Sequence, residues 1–138
     1  MVEIDVLYEG ELHTRCHHTP SARELETDAP VDNQGRGESF SPTDLLATAL
    51  GSCALTTMGI VARREGWGLE GARARVEKHM VADPVRRVGR LVVRFALPGG
   101  LDEAARSTLE HTAWTCPVKQ SVSPAIELDL VFDWGSVR

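Results

Sequence analysis

The stretch SPTDLLATALGSCALTTMGIVA, which runs from position 41 to position 62, decides the fold of this chain. Its first residues are typical of a helix start: Ser41 is a favoured capping residue, Pro42 fits the first helical position, and Asp44 completes an arrangement like a capping box. The remainder of the stretch carries no charged residue. We therefore predict one long helix that begins after Ser41 and ends near Glu65.

The uncharged part of this helix is long enough to raise the question of a membrane span. It contains hydroxyl side chains, among them Thr48 and Ser52, and the rest of the chain has the composition of a soluble protein. A helix that is apolar on all sides is also typical of the buried centre of a globular protein. The N-terminal segment MVEIDV lacks the basic start and apolar centre of a signal peptide. We therefore expect a cytoplasmic protein with no membrane partner.

Alternation of apolar and polar residues predicts strands on both sides of the long helix. The predicted strands are Val2–Tyr8, Glu11–His17, Ala22–Glu26, Leu69–Ala82, Val88–Leu97 and Ala125–Trp134. Between the last two, an amphipathic helix is predicted over Leu101–Trp114 and a short helix from Cys116. Positions 28–40 are rich in Gly, Asp, Asn and Pro and predict an irregular loop. The order βββ–α–ββ–α–α–β indicates an α+β fold.

Length and charge limit the possible functions. The chain has 138 residues, which favours one domain over positions 1–138 whose core a partner subunit would help to complete. Its net charge of −5 argues against nucleic acid as a partner. Three cysteines are an odd number, which excludes a full disulfide framework, and stable disulfides are uncommon in the cytoplasm. These cysteines are therefore structural thiols, metal ligands or catalytic thiols.

Two of the cysteines lie in segments that do not resemble surface loops. Cys53 shares one face of the long helix with Leu50 and Thr57, where it is either a buried structural thiol or a reactive one. Cys116 precedes Pro117 at a helix start, where exposed backbone N–H groups lower the pKa of a thiol and make it nucleophilic. The residues alone therefore favour Cys116 as the more reactive thiol.

The third cysteine, Cys16, lies in a segment with several histidines that invites a metal interpretation. The spacing of Cys16, His13, His17 and His18 does not match the paired spacings of zinc sites. In a strand, Cys16 and His18 face away from the other two histidines. We therefore interpret the segment as a polar strand end and expect no metal.

Two motifs together, SPTDLLATALGSCALTTM at positions 41–58 and CPVKQSVSP at positions 116–124, resemble the OsmC/Ohr family of thiol peroxidases, and within it the broad OsmC-like branch. The resemblance covers essentially the whole chain. It implies an intertwined homodimer in which two sheets wrap two long central helices, with active sites at the subunit interface. It also implies that Cys53 is the peroxidatic thiol and Cys116 the resolving thiol. This assignment makes Cys53 the more reactive thiol, whereas the residues alone favour Cys116. It also requires a cation near Cys53.

The resemblance is incomplete at the residues that activate the thiolate. Peroxidases of this family pair it with a Glu ten residues before the helix cysteine, which is Thr43 here, and the nearest acid is Asp44. They also supply an Arg from a flexible N-terminal loop. Arg36, between two glycines, is our candidate for this cation, with Arg15 and Arg23 as alternatives.

The resemblance implies a hydroperoxide reductase that acts in oxidative-stress defence without a cofactor. Cys53 would attack a peroxide, preferably an organic one, and Cys116 would then form a disulfide with it. A dithiol reductant of the lipoyl or thioredoxin type would restore both thiols. The missing Glu leaves a second hypothesis open, in which the same fold binds or senses a small molecule without catalysis.

Overall fold

The computed structural model describes residues 1–137 and confirms the α+β fold. The elements, in chain order, are β1 (Ile4–Gly10), β2 (His13–His18), β3 (Arg23–Asp28), a short 3-10 turn (Val31–Asn33), α1 (Pro42–Glu65), β4 (Arg73–Val81), β5 (Arg87–Pro98), α2 (Glu103–Trp114), α3 (Pro117–Ser121) and β6 (Glu127–Val137). Each strand and helix expected from the sequence has a counterpart here, with ends displaced by a few residues. The contacts divide the chain into two compact units, Met1–Leu46 and the remainder from Ala47 onward.

The N-terminal unit contains an antiparallel sheet in the order β1-β2-β3. Val6 lies opposite Cys16, which in turn lies opposite Leu25, so these three side chains share one face of the sheet. Ile4 and Tyr8 lie on the same face, because side chains alternate along a strand. The opposite face carries the charged side chains Glu9, His13, Arg15, Glu24 and Glu26. The sheet is therefore amphipathic, as a sheet with one covered face would be.

The second unit contains a sheet in the order β4-β5-β6. Strands β4 and β5 pair antiparallel, whereas β5 and β6 pair parallel, so α2 and α3 form the crossover between them. The inner face of β5 supplies Leu91, Val93, Phe95 and Leu97 to the core, all of them fully buried or nearly so. Phe95 stacks on Phe132 of β6, with ring centroids 4.9 Å apart. The central strand therefore anchors this core.

Helix α1 begins as the sequence predicts. The backbone N–H of Ser41 donates to Oδ2 of Asp44 over 2.8 Å, and the N–H of Asp44 donates to Oγ of Ser41 over 3.1 Å. This reciprocal pair is a capping box with Asp in place of Glu or Gln, and it satisfies two N–H groups that have no partner within the helix. Pro42, at the first helical position, has no N–H to satisfy.

The buried residues of α1 form one stripe rather than covering the whole helix. The stripe consists of Ala47, Leu50, Gly51, Ala54, Met58 and Ala62. By length and composition α1 is also the one helix among residues 1–137 that could cross a membrane, and a third of its apolar window (33%) is buried. Burial of a stripe against a sheet is typical of a core helix in an α+β fold. Outside this stripe most residues of α1 are half-buried, and Ile60 is exposed.

The two later helices start one or two residues after the predicted positions. Asp102 is the capping residue of α2, because its Oδ1 accepts the N–H of Ala105 over 2.8 Å. Cys116 is the capping residue of α3, and Pro117 occupies the first helical position. The chain before each helix is extended, as a residue preceding a helix requires.

Candidate functional site

The structure brings Cys53 of α1 and Cys116 at the start of α3 together. Cys53 raises the pKa of the Cys116 thiol both by its charge and by a side-chain hydrogen bond between the two residues. Both thiols are free, and both belong to the unit that begins at Ala47. Two adjacent thiols on separate elements are the arrangement that a reversible disulfide needs.

The Cys116 thiol does not have the lowered pKa that its position before Pro117 predicted. Complete burial raises its pKa, and the N–H groups of Lys119 and Val118, which lower it, do not offset this effect. The neighbouring Cys53 raises it further. The prediction that the helix start lowers the pKa of the Cys116 thiol is therefore wrong, because the local sequence shows the helix start but not the desolvation of the sulfur.

Cys53 has the opposite exposure. It is half-buried at the edge of the buried stripe of α1, whereas Cys116 has no exposed surface. The hydroxyl of Thr57, one turn further along, donates to the backbone carbonyl of Cys53. Cys53 therefore has surface open to solvent, whereas Cys116 has none.

Arg36 lies in a loop that is more ordered than the two flanking glycines suggested. The N–H of Gly35 donates to the carbonyl of Pro30 over 3.0 Å, and the N–H of Gly37 donates to the carbonyl of Ala29 over 3.2 Å. A Cβ atom at Gly35 would lie 1.7 Å from that Ala29 oxygen. Glycine is required here for close packing of the backbone rather than for flexibility. Arg36 itself is exposed.

The alternative arginines have different surroundings. Arg15, on the charged face of the first sheet, forms ion pairs with Glu9, Glu24 and Glu26, and these carboxylates raise its pKa. Arg23 is exposed at the beginning of β3. Because Arg15 is already paired with carboxylates, Arg36 stays our candidate for the activating cation.

The end of β3 holds a polar pair that the sequence analysis missed. Oδ1 of Asp28 lies 2.6 Å from Nδ1 of His13, and Oδ2 accepts the N–H of Glu38 over 3.1 Å. Asp28 is buried. The hydrogen bond with His13 is the main cause of its lowered pKa, and the nearby charge of Arg36 contributes to the same shift. The sequence analysis ended the third strand at Glu26. A third strand that ends at Asp28 places Asp28 opposite His13 on β2.

The carboxylate of Asp44 takes part in the capping box of α1. Thr43, at the position of the missing Glu, hydrogen-bonds through its hydroxyl with that of Ser41 over 3.2 Å. Both side chains thus hydrogen-bond with Ser41 at the helix start. A catalytic role for Asp44 stays a prediction.

The possible metal ligands that lie closest together already have a cation beside them. Among residues 1–137, side-chain atoms of Glu9, His13 and Glu26 lie close enough together to hold an ion. The guanidinium of Arg15 contacts both carboxylates, at 3.3 and 3.0 Å, and thus already supplies the positive charge. Cys16 lies on the other face of the sheet, opposite Val6 and Leu25, as its alternation with His13 predicted.

A cavity of about 370 Å³ lies beside the C-terminal half of α1. It is lined by Leu55, Gly59, Ala62, Arg63, Trp67, Leu69, Glu70, Gly71 and Ala72. Cys53 is not among these residues. The cavity therefore does not by itself connect an apolar ligand with the thiol pair.

Comparison with known proteins gives one family. The family model described as OsmC-like protein matches residues 35–131. A crystal structure from Psychrobacter arcticus 273-4, provisionally described as an osmotic stress induced and detoxification response protein, is 45% identical, covers 96% of each chain and has a TM-score of 0.91. No curated protein matches the chain in sequence.

More distant crystal structures share the fold. An organic hydroperoxide resistance protein OsmC from Legionella pneumophila is 19% identical, covers 96% of each chain and has a TM-score of 0.73. An organic hydroperoxide resistance protein from Elizabethkingia anophelis is 16% identical, covers 96% of this chain and 95% of its own, and has a TM-score of 0.74.

Proposed function

The chain belongs to the OsmC-like family, and on this premise we propose that it is a thiol-dependent hydroperoxide reductase with Cys53 as the peroxidatic thiol and Cys116 as the resolving thiol. The observation that carries the proposal is the adjacency of the two thiols combined with their unequal exposure. Cys53 is half-buried and thus accessible to a substrate, whereas Cys116 has no exposed surface and can react only with Cys53. Two distant structural relatives are named for organic hydroperoxide resistance.

The proposed reaction has three steps. The Cys53 thiolate attacks the distal peroxide oxygen, the O–O bond breaks, and the alkoxide leaves and takes up a proton to become an alcohol. The Cys116 sulfur then attacks the sulfur of the Cys53 sulfenic acid, which forms the disulfide and releases water. A dithiol of the lipoyl or thioredoxin type reduces the disulfide by exchange and is itself oxidised.

The raised pKa of Cys116 fits the second role better than the first. A peroxidatic thiol must be a thiolate when the peroxide arrives, because the thiolate is the nucleophile. A resolving thiol reacts within a preformed pair, so proximity compensates for a small thiolate fraction. Burial of Cys116 also protects it from external oxidants until Cys53 has reacted.

We propose Arg36 as the cation that stabilises the Cys53 thiolate. A guanidinium is always charged and presents several donors, which suits an anionic sulfur. Arg36 is exposed and belongs to a hydrogen-bonded loop, so its side chain is available at a defined position on the backbone. We also propose Asp44, the residue next to the position of the missing family Glu, as the acid of this site.

We further propose that the protein is a homodimer in the cytoplasm. The apolar face of the first sheet leaves Ile4, Val6 and Tyr8 exposed by 60%, 63% and 62%. An exposed patch of this kind on a small soluble protein marks an interaction surface. A second copy of the chain is the partner that the family resemblance implies, and it would also cover the open faces of α1.

The proposed function is tested by peroxide consumption. Wild type and Cys53→Ser are given cumene hydroperoxide or hydrogen peroxide with a dithiol reductant. We expect the wild type to consume the organic peroxide faster than hydrogen peroxide, and Cys53→Ser to match the thiol blank. Cys16→Ser is the matched control, since Cys16 lies outside the thiol pair. Unchanged consumption by Cys53→Ser would exclude this mechanism.

A second candidate function is a binding or sensing protein that uses the same fold without turnover. The engagement of Asp44 in the capping box favours it, because no carboxylate stands at the family position, Thr43. The discriminating result is a wild type that consumes no peroxide above the thiol blank yet binds a small apolar or electrophilic molecule. Protein mass spectrometry under native conditions measures that binding.

A further inference from the structure

We propose that the outer face of the second sheet binds a small molecule that carries a carboxylate or phosphate group on an apolar body. The anionic group binds to Arg73 and Arg75 of β4, and the apolar body lies over Ala96 and Val131 on the neighbouring strands. This site lies on the opposite side of the sheet from α1, and its existence does not depend on the reaction proposed for the thiol pair.

The register of β4, β5 and β6 determines which side chains share this outer face. Ala74 and Val76 of β4 face Gly51 of α1, so Arg73 and Arg75 point away from the helix. The outer face contains four rows of three residues. Two rows form what we call the open half: Arg73, Ala96 and Asp133 in one row, and Arg75, Arg94 and Val131 in the other. The next two rows form the paired half: Glu77, Val92 and Asp129 in one row, and His79, Arg90 and Glu127 in the other.

In the paired half, opposite charges lie in contact with each other. Arg90 forms an ion pair with Asp129, and Nε of Arg94, from the adjoining row, lies 3.1 Å from Oε1 of Glu77. Val92, which lies between Glu77 and Asp129 on the same face, is only 3% exposed. This half of the face therefore has neither unpaired arginines nor open apolar surface.

The open half has a different charge arrangement. Within the described part of the chain, residues 1–137, no carboxylate forms an ion pair with Arg73 or Arg75, and no cation forms one with Asp133. All three side chains are exposed, and Val131 is 43% exposed. Two unpaired guanidinium groups therefore lie beside open apolar surface.

A cavity of about 670 Å³ lies on the open half, and its lining includes all six residues of that half. This volume is within the range of small-molecule sites, about 300–1,000 Å³. The small side chain of Ala96 lies between Arg73 and Asp133, so the middle of the cavity is left free for a ligand. The unpaired charges and the cavity thus coincide.

The charges of the cavity determine the class of ligand. A guanidinium donates two parallel hydrogen bonds to a carboxylate or phosphate group. Arg73 and Arg75 are two positions apart on one strand, so their Cα atoms are about 7 Å apart and both long side chains can reach one anionic group. Asp133 lies two strands away, about 10 Å across the sheet. It repels a second anionic group at the far end of the ligand and attracts a cationic one, so the site favours zwitterions over dianions.

Three probes that differ only at the far end test this assignment. They are benzoate, 4-(aminomethyl)benzoate, which adds a cationic group, and terephthalate, which adds a second anionic group. Their dissociation constants are measured at low salt by NMR titration of the backbone amides of nitrogen-15-labelled protein. Phenyl phosphate, compared with benzoate, distinguishes a phosphate ligand from a carboxylate ligand. The variants are Arg73→Gln, Arg75→Gln and Asp133→Asn, and Arg90→Gln in the paired half is the matched control.

We expect 4-(aminomethyl)benzoate to bind about threefold more tightly than benzoate, and terephthalate about threefold more weakly, because Asp133 is an exposed charge. Arg73→Gln and Arg75→Gln should each weaken the binding of every probe about tenfold, since each removes a charge-assisted hydrogen bond. Asp133→Asn should give the three benzoates similar dissociation constants. Arg90→Gln should bind all probes as the wild type does, and added salt should weaken every complex.

Several results would overturn the proposal. The first is the absence of saturable shift changes in β4, β5 and β6 with every probe. The second is binding that is unchanged in both Arg73→Gln and Arg75→Gln, or weakened equally in Arg90→Gln, because the open half would then not be the site. An unchanged order of the three benzoates in Asp133→Asn overturns the preference for zwitterions. All four substituted side chains are exposed, so the variants should fold, and equal midpoints of urea unfolding verify this.

Discussion

A Cβ atom added to Gly51 would lie 2.7 Å from Cγ2 of Val76. Helix α1 and strand β4 therefore pack so closely at this point that a side chain at position 51 would collide with Val76. Gly51 lies in the buried stripe of α1, two residues before Cys53. The position of the thiol above the sheet therefore depends on this contact. A glycine within a helix otherwise lowers helix stability by about 1 kcal/mol relative to alanine.

This contact predicts that alanine substitutions at two glycines of the same helix have opposite effects on the free energy of unfolding. Gly51→Ala should lower the free energy of unfolding by about 1 kcal/mol, because overpacking outweighs the gain in helix propensity. Gly59→Ala is the control, since no atom lies within 4 Å of its added Cβ, and it should raise stability by about 0.5–1 kcal/mol. Urea denaturation measures both. A stabilised Gly51→Ala would contradict the tight contact.

The unequal exposure of the two thiols predicts what happens without Cys116. Cys116→Ser should perform the first reaction with peroxide at close to the wild-type rate and then stop, because no thiol remains to resolve the sulfenic acid. Dimedone labelling, read by mass spectrometry, should reach about one equivalent per chain at Cys53. Cys16→Ser should accumulate no label during turnover. Loss of the first reaction in Cys116→Ser would show that Cys116 does more than resolve.

Asp44 can be tested separately as a cap and as a catalytic carboxylate. Asp44→Asn keeps an acceptor for the Ser41 N–H but removes the charge, whereas Asp44→Ala removes both. If the residue acts only as a cap, Asp44→Ala should lose about 1 kcal/mol of stability and Asp44→Asn should keep activity. Loss of peroxide consumption in the stable Asp44→Asn variant would instead support the predicted catalytic role.

The amphipathic first sheet predicts that one face, not both, forms the dimer contact. Val6→Asp places a charge among Ile4, Tyr8 and Leu25 and should shift the mass measured by light scattering at micromolar concentration from dimer to monomer. Leu7→Asp is the control, because its side chain points to the charged face of the same strand. Equal behaviour of the two variants, or a monomeric wild type, would contradict the proposed interface.

Local sequence signals correctly predicted the helix starts and the strand alternation, because both depend on neighbouring residues. The capping residues Ser41 and Asp44 predicted the start of α1, and Pro117 predicted the start of α3, because a helix end depends on a few neighbouring groups. The strand alternation that separated Cys16 from His13 also holds in the structure. The family resemblance, rather than these signals, assigned the roles of the two thiols.

Features that depend on distant contacts were not predictable in this way. The pKa of Cys116 follows from burial by other elements, so its local helix start gave the wrong sign. The pair of His13 and Asp28 depends on the register of two strands, and a third strand predicted to end at Glu26 left Asp28 in the loop. Gly35 packs on the Ala29 carbonyl, which composition alone presents only as flexibility.

The burial of Cys116 also determines the direction in which a disulfide between the two cysteines would be reopened. An incoming reductant could attack only the sulfur of Cys53, so the mixed disulfide would form there and Cys116 would depart first. A thiol with a raised pKa is a slow leaving group. Reduction of such a disulfide would therefore be slower than with a leaving thiol of ordinary pKa, and the reductant would have to approach from the side of Cys53.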